Sequence, residues 1–328
     1  MALLTALPFD DASELLKNYG LILLDLQALK AGSVNSNFFL SARNSTGAAI
    51  ELFARIYEEQ GNEGAQFELT LNEVLFEEGI AVARPVRLLS GESFLSYGQK
   101  PFALYQRLEG EVLCQGRVTE LAAQSVGAAL ASVHCASLGG LQVEPSRFGF
   151  AAIEERLVRV EEAQRADLYP ALQTIRDLVQ LIQSERDLSL PQGLIHGDLF
   201  RDNVLMQGEN VSGLLDFESA SAGPYVYDLM VTLLAWCFGD TLDGKLARAM
   251  VKGYCKVRPL SQQERAGMVL EGSVACARFA STRLTDFSLR TSAGKKPSRQ
   301  YTRFFDRLAA LRAGALDEAL AGLEFTAK

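Results

Sequence analysis

Eight residues, His196-Gly-Asp-Leu-Phe-Arg-Asp-Asn203, followed thirteen positions after Asn203 by Asp216-Phe-Glu218, constrain this 328-residue chain more than any other feature. Apolar runs frame both polar groups: Gly193-Leu-Ile195 leads into the first, Asn203-Val-Leu-Met206 leaves it, and Val211-Ser-Gly-Leu-Leu215 leads to Asp216. Runs this short, bounded by Gly, Asp and Asn, read as strands joined by turns. A single Gly-Asp or Asp-Asn pair is ordinarily a turn or a helix cap. Here several such groups fall at fixed offsets within strand-turn-strand segments, which points to chemistry. Asp198, Asp202 and Asp216 held close together would repel one another and raise at least one pKa unless a cation offset them.

The spacing fits the pattern H-x-D-L-x-x-x-N with a later D-F-x, in which the first Asp takes a proton and the Asn and last Asp hold a divalent cation. Phosphoryl transfer explains these residue types. The transferred group carries negative charge on nonbridging oxygens, so its site must supply cations, alignment and a proton acceptor. Asp198 is the expected proton acceptor. Asn203 and Asp216 are the expected magnesium ligands, since that ion prefers hard oxygens and takes others from the phosphates of ATP and from water. For the same reason His196 reads as a packing and hydrogen-bonding element of the loop.

Composition bounds the partners. The net charge is −8 and the pI near 5.1, with no stripe of Lys or Arg. Nucleic acid and anionic membrane are therefore poor partners, and the expectation is a cytoplasmic enzyme with a small-molecule substrate, a monomer or small homo-oligomer. The first residues lack a basic n-region, and the apolar run from Tyr225 to Phe238 contains Asp228 and is too short to span a bilayer. Cysteines 114, 135, 237, 255 and 276 are scattered, odd in number and without a C-x-x-C pair. They read as buried free thiols in a reducing compartment.

Periodicity predicts an α+β chain. Asp11 or Ser13 caps a short helix through Lys17, and strands follow at Leu21–Leu29, Ser36–Arg43 and Ile50–Tyr57, the last two joined by the turn Asn44–Gly47. A helix occupies 66–79, with further strands at 84–89 and 101–108. After about Gly110 the pattern turns helical: Ala122, Val126, Ala129, Leu130 and Val133 share one face. Later helices fit 151–166, 170–185, 225–238, 243–256, 261–284 and 298–324. This is a bilobal, protein-kinase-like layout: a small antiparallel-sheet N-lobe over 1–108 covering the nucleotide, and a mainly helical C-lobe over 109–328 with the catalytic and metal-binding loops and an acceptor pocket.

Within the N-lobe, Lys30–Asn37 lies between two strands, where Ser33 and Asn35 serve either an ordinary hairpin turn or a phosphate-covering loop. Arg55 projects from the third strand and could reach the phosphates, with Glu68 as its orienting partner and Glu73 the competing carboxylate. Asp228 opens a long apolar helix and is expected to brace the catalytic loop or cap that helix. Trp236 is expected in the core.

The chain resembles homoserine kinases of the protein-kinase-like fold, within the broader group of choline kinases, methylthioribose kinases and aminoglycoside phosphotransferases. The resemblance spans nearly the whole length. It is carried by His196–Leu205, with its Phe-Arg-Asp filling, and by Ala31–Phe39, Gly127–His134, Tyr227-Asp-Leu229 and Ala277–Asp286. It implies transfer of the ATP γ-phosphate to the side-chain hydroxyl of L-homoserine for threonine synthesis. Glu218 stands in place of the glycine of D-F-G, and Ala280 and Thr285 stand where this family more often has aromatics. An amino-acid acceptor needs a cation for its carboxylate and an acid for its ammonium. Arg278 and Arg283 are the candidates for the first, Asp202 and Glu218 for the second. Kinases for choline or ethanolamine, methylthioribose or aminoglycosides are the alternatives, with a catalytically silent nucleotide-binding protein as a further one. The chain shows no aromatic cluster near the loop for a quaternary ammonium and no acidic run for a polycation.

Overall fold

The computed structural model describes residues 5–29, 34–292, 295, 297 and 299–325. Two compact units divide the chain. One holds the residues up to Gly110 together with Ala136–Leu141 and Ser212–Glu218; the other holds Glu111–Cys135, Gln142–Val211 and the residues from Ser219 onward.

The first unit is built on an antiparallel sheet. Helix α1 (Phe9–Lys17) precedes β1 (Ile22–Ala28), β2 (Ser36–Arg43) and β3 (Ala49–Ile56); α2 (Asn62–Glu77), β4 (Pro85–Val86), β5 (Leu95–Tyr97) and β6 (Lys100–Gln106) follow. The order is β1-β2-β3-β6-β4, with β5 also on β6. Period-two alternation decides what each face buries. Phe38, Leu40, Ala42, Leu52, Ala54 and Ile56 meet Ala12 and Leu16 of α1. The other face of β3 turns Phe53 and the adjoining Tyr57 toward Ala65 and Leu69 of α2, and Arg55 emerges on that side.

Three local expectations change. Helix α1 starts at Phe9, ahead of Asp11, with Pro8 before it and no side-chain cap; Asp10 and Asp11 instead occupy its first turn, where the helix dipole favours negative charge. Helix α2 starts at Asn62, ahead of the apolar periodicity that marked 66. The strand expected over 84–89 shortens to Pro85–Val86, because Pro85 has no N–H to donate and the chain soon turns through Leu88 N–H to Glu92 O and Gly91 N–H to Leu88 O.

The second unit is mainly helical: α3 (Glu120–Cys135), α4 (Phe150–Glu162), α5 (Tyr169–Glu185), α6 (Tyr225–Trp236), α7 (Gly244–Val257), α8 (Gln262–Arg283), α9 (Thr302–Arg312) and α10 (Ala315–Leu320). Short strands β7 (Gln192–Ile195) and β10 (Ser221–Pro224) pair antiparallel, and β8 (Val204–Gln207) forms a two-stranded sheet with β9 (Asn210–Leu214), the strand along which the chain passes into the Ser212–Glu218 segment of the first unit. Helix α8 packs against α4, α5, α6 and α9. Its start is set by a capping box between Ser261 and Glu264, and its end passes into a π-helical turn at Leu284–Ser288. The single helix expected over 298–324 is broken, because Gly314 adopts φ +82° between α9 and α10. Cys237, Cys255 and Cys276 are buried, whereas Cys114 and Cys135 are exposed, correcting the expectation of five buried thiols. No helix among the described residues is long and apolar enough to cross a membrane.

Candidate active site

In the first unit, Arg55 is the hub. Its NH1 donates to Glu68 Oε1 at 2.8 Å and to Asp216 Oδ1 at 3.3 Å, and its Nε to Asn37 Oδ1 at 3.3 Å. Arg55 is 8% exposed and Glu68 2%. Burial pulls the guanidinium's pKa down, but the carboxylates of Glu68 and Asp216 outweigh it and hold Arg55 well above its ordinary value. Glu73 takes no part: it is bound by Arg87, whose Nε donates to its Oε1 at 3.1 Å. Helix phase explains the choice, since five residues rotate a side chain by about 140° around α2. Asp216 follows β9, which is tied down by Leu214 N–H to Ala81 O at 2.7 Å. Its φ of +65° is one of three positive values at non-glycine residues among the described residues. Such backbone costs about 1–3 kcal/mol and concentrates at functional positions. Asn35 donates to Glu218 Oε2 at 3.1 Å and accepts Glu58 N–H at 3.1 Å. Ser33 lies outside the described residues.

In the second unit, the turn from His196 to Asn203 is anchored from all sides. Asp228, in the first turn of α6, accepts the N–H groups of His196 at 2.7 Å and Gly197 at 2.8 Å. His134 Nε2–H donates to the same carboxylate at 3.1 Å, and Tyr254 O–H to His134 Nδ1 at 2.7 Å. Burial of the Asp228 carboxyl would raise its pKa, and the His134 hydrogen bond with the Gly197 N–H reverses this and holds it low. Burial lowers the pKa of His134 and so keeps it neutral. Asp198 N–H donates to His196 Nδ1 at 3.2 Å, so His196 braces the loop. Trp236, in the core, donates to Leu199 O at 3.1 Å. Arg201 binds Gln115 and Ala235 O, and Arg278 binds Gly197 O. Gly197 has φ +76°, and a Cβ there would lie 2.9 Å from Ser219 O. The turn is therefore rigid, and it holds a half-buried Asp198.

Each unit carries oxygen donors of the kind magnesium takes. In the second, Asn203 engages its amide nitrogen on Asp198 O at 2.8 Å, which leaves Oδ1 for a hard cation; in the first, Asp216 offers a carboxylate. Among the described residues no group of three His, Cys, Asp or Glu gathers as a metal cage. Magnesium bound chiefly through phosphates and waters needs none.

Around the turn, the candidate acceptor residues separate. Arg278 is fastened to Gly197 O and, at 3.2 Å, to Tyr227 Oη. Asp202 is exposed, 3.9 Å from Arg299. Ala280 and Thr285 are fully buried, and Thr285 Oγ1 accepts from Arg156 at 2.8 Å. Contrary to the sequence expectation, an aromatic cluster does stand beside the loop. Phe200, Phe279, Phe287 and Phe304 surround the guanidinium of Arg283 with centroids 5.7–6.0 Å away. Sequence reasoning also gave His134 no role. Its signal was scarcity, for the chain has two histidines and both engage Asp228.

Residues 25–267 match the phosphotransferase enzyme family. The chain belongs to this family. A curated homoserine kinase of Pseudomonas aeruginosa (strain LESB58) is 35% identical over 268 residues, covering 80% of this chain and 81% of the relative. One from Methylobacillus flagellatus is 30% identical over 327 residues, 98% of both chains. Among solved structures, an amicoumacin kinase in complex with AMP-PNP, Ca2+ and Ami superposes with a TM-score of 0.67 at 19% identity, covering 97% of this chain and 95% of the other. Spectinomycin phosphotransferase with ADP and spectinomycin gives 0.63 at 16%, covering 96% and 100%. The α+β, protein-kinase-like fold is borne out, with its N-terminal antiparallel sheet and helical C-terminal part. The chain is a phosphotransferase.

Proposed function

We propose that this phosphotransferase is an ATP-dependent homoserine kinase, forming O-phospho-L-homoserine and ADP. The observation that carries the reaction type is the braced turn presenting Asp198, in a chain of this family. Asp198 takes the proton of the acceptor hydroxyl as its oxygen attacks the γ-phosphorus, and the bond to the ADP oxygen breaks. Asn203 and Asp216 are the residues that would hold magnesium, and the ion would neutralise charge on the phosphate oxygens. Arg55, set by Glu68, binds phosphate, and Ser33 and Asn35 are assigned to the same nucleotide. Asp202 and Glu218 are the acids within the motif for the acceptor's ammonium.

The acceptor assignment is supported by the homoserine kinases aligned with up to 98% of the chain and by local charge. In the second unit Arg283 lies within the field of Arg278 and Arg299, and Arg307 within that of Arg201 and Arg303. The Arg307 guanidinium is pushed down to about 10, by burial first and then by Arg303 and Arg201. So basic a neighbourhood suits an anionic group and repels a polycationic aminoglycoside. The aromatic cluster that could cage choline already holds Arg283.

The test is magnesium-dependent ADP release with L-homoserine, choline, methylthioribose and kanamycin under one set of conditions. Homoserine is expected to be preferred, and Asp198→Asn to lower kcat about 10²–10⁴-fold in folded protein. Preference for another acceptor overturns the substrate, and no turnover with any supports a silent nucleotide-binding protein.

A further inference from the structure

Arg278 and Arg283 lie five residues apart on α8, yet the structure gives them different work. Arg278 is 4% exposed. Its NH1 holds Gly197 O and Tyr227 Oη, and its Nε, though without an acceptor, is sealed from solvent. Arg278 is a positioning residue for the catalytic turn. Arg283 has no hydrogen-bond or ion-pair partner among the described residues and remains partly exposed.

The setting of Arg283 is unusual for a surface arginine. Phe279, Phe287, Phe200 and Phe304 ring it at 5.7–6.0 Å, and cation–π attraction fixes the guanidinium while leaving its N–H donors unused. Its pKa is pushed down to about 10, first by burial and then by Arg299, while Asp198 acts in the opposite sense. A largely enclosed cation whose forked donors meet no acceptor among the described residues is a preorganised receptor for a carboxylate. Asp198 marks where the acceptor's hydroxyl must come, because a general base works only within hydrogen-bond reach.

We infer that Arg283, held in its phenylalanine cradle, anchors the α-carboxylate of the acceptor and so selects carboxylate-bearing alcohols. This rests on the proposed homoserine kinase activity and assigns the specificity of that same site to one side chain. The aromatic rings lower the local dielectric around the pair, which strengthens it. An acceptor without the carboxylate leaves Arg283 unpaired and is rejected.

The experiment compares wild type, Arg283→Met and Arg283→Lys on L-homoserine, 4-hydroxybutyrate, which lacks the ammonium, and 3-aminopropan-1-ol, which lacks the carboxylate. Each is tested as substrate or, where turnover is slow, as competitive inhibitor. In Arg283→Met the KM or Ki for the two carboxylates is expected to rise about 10–100-fold, the loss of one charge-assisted hydrogen-bonded contact. The values for 3-aminopropan-1-ol and the KM for ATP are expected to stay constant. Arg283→Lys keeps charge but loses the fork and is expected to fall between; it serves as the reading if the Met variant fails to fold, judged by its melting transition. Equal loss of kcat on all three compounds would place Arg283 on the phosphoryl group and overturn the inference, as would an unchanged KM for homoserine. If the wild-type enzyme ignores homoserine and prefers another acceptor, the proposed function itself falls, taking the inference with it.

Discussion

His134 Nε2 lies 3.1 Å from Asp228 Oδ2, with both side chains fully buried. The pair ends a chain of hydrogen bonds running from Glu264 through Arg258, Tyr254 and His134 to Asp228, which in turn holds the backbone of His196 and Gly197. Burial lowers the pKa of His134 below its ordinary 6.5, so the folded protein binds its proton less readily than the unfolded chain. Stability therefore falls as pH drops below about 6.5, by at most about 1.4 kcal/mol per pH unit from this group. Urea unfolding midpoints at pH 7.5 and 5.5 should separate more for wild type than for His134→Gln. Parallel shifts in the two proteins would show that His134 does not carry this dependence.

Arg55 makes the choice between Glu68 and Glu73 measurable. Arg55→Met leaves Glu68, 2% exposed, without its cation, and breaking a buried pair from one side costs about 3–5 kcal/mol. Glu73→Gln removes a partner of Arg87, whose side chain is 50% exposed, and pairs of that kind contribute about 0–1 kcal/mol. Denaturant unfolding of both variants should show this contrast. Equal losses would mean that Glu73 shares the role of Glu68.

Legibility in the sequence followed contact range. The turn from His196 to Asn203 was readable because its chemistry lies within eight consecutive residues, and β2 and β3 because alternation and the Asn44–Gly47 turn are local signals. Arg55 was placed on its face by period two and Glu68 was named ahead of Glu73 by helix phase, but the further contacts of Arg55 with Asn37 and Asp216 needed the packed structure. The cluster around Arg283 joins Phe200 to Phe304, and the brace on Asp228 joins positions 134, 196 and 254. No local pattern marks such associations; they arise when α3, α6, α7, α8 and α9 pack. Gly314 was visible as a residue, but the left-handed conformation that breaks the last helix depends on where α10 must dock.

Glu58 supplies a second pH-sensitive tie, in the sheet-based unit. Its carboxylate binds Lys100 and Ser36 and accepts Thr5 N–H at 2.8 Å, fastening the segment before α1. Burial would raise its pKa, but Lys100, Ser36 and Thr5 bring it down from 4.5 to about 2. A depressed carboxyl stabilises above the unfolded pKa and loses that contribution as pH falls from about 4.5 toward 2. At pH 7, Glu58→Gln should lower stability by about 1.5–3 kcal/mol, as expected for hydrogen bonds to a charged group. The difference from wild type should shrink through that acid window, as followed by denaturant titration at each pH.

The helix that delivers His134 depends on two glycines. A Cβ at Gly127 of α3 would lie 2.1 Å from Met250 O of α7, and one at Gly253 of α7 would lie 2.0 Å from Gln124 O of α3. The backbones touch, and neither oxygen can swing aside as a side chain would. Gly127→Ala and Gly253→Ala should each cost about 3 kcal/mol, the upper part of the overpacking range, despite the better helix propensity of alanine. Gly64 in α2 is the control. Its added Cβ meets only the flexible Gln60 side chain at 3.0 Å, so Gly64→Ala should stabilise by about 0.4–1 kcal/mol. Because both glycines serve one crossing, the double variant should cost less than the sum of the singles: once the first methyl has forced the helices apart, the second finds room. Thermal and urea unfolding of the four variants would decide it, and strict additivity would show that the two contacts yield independently.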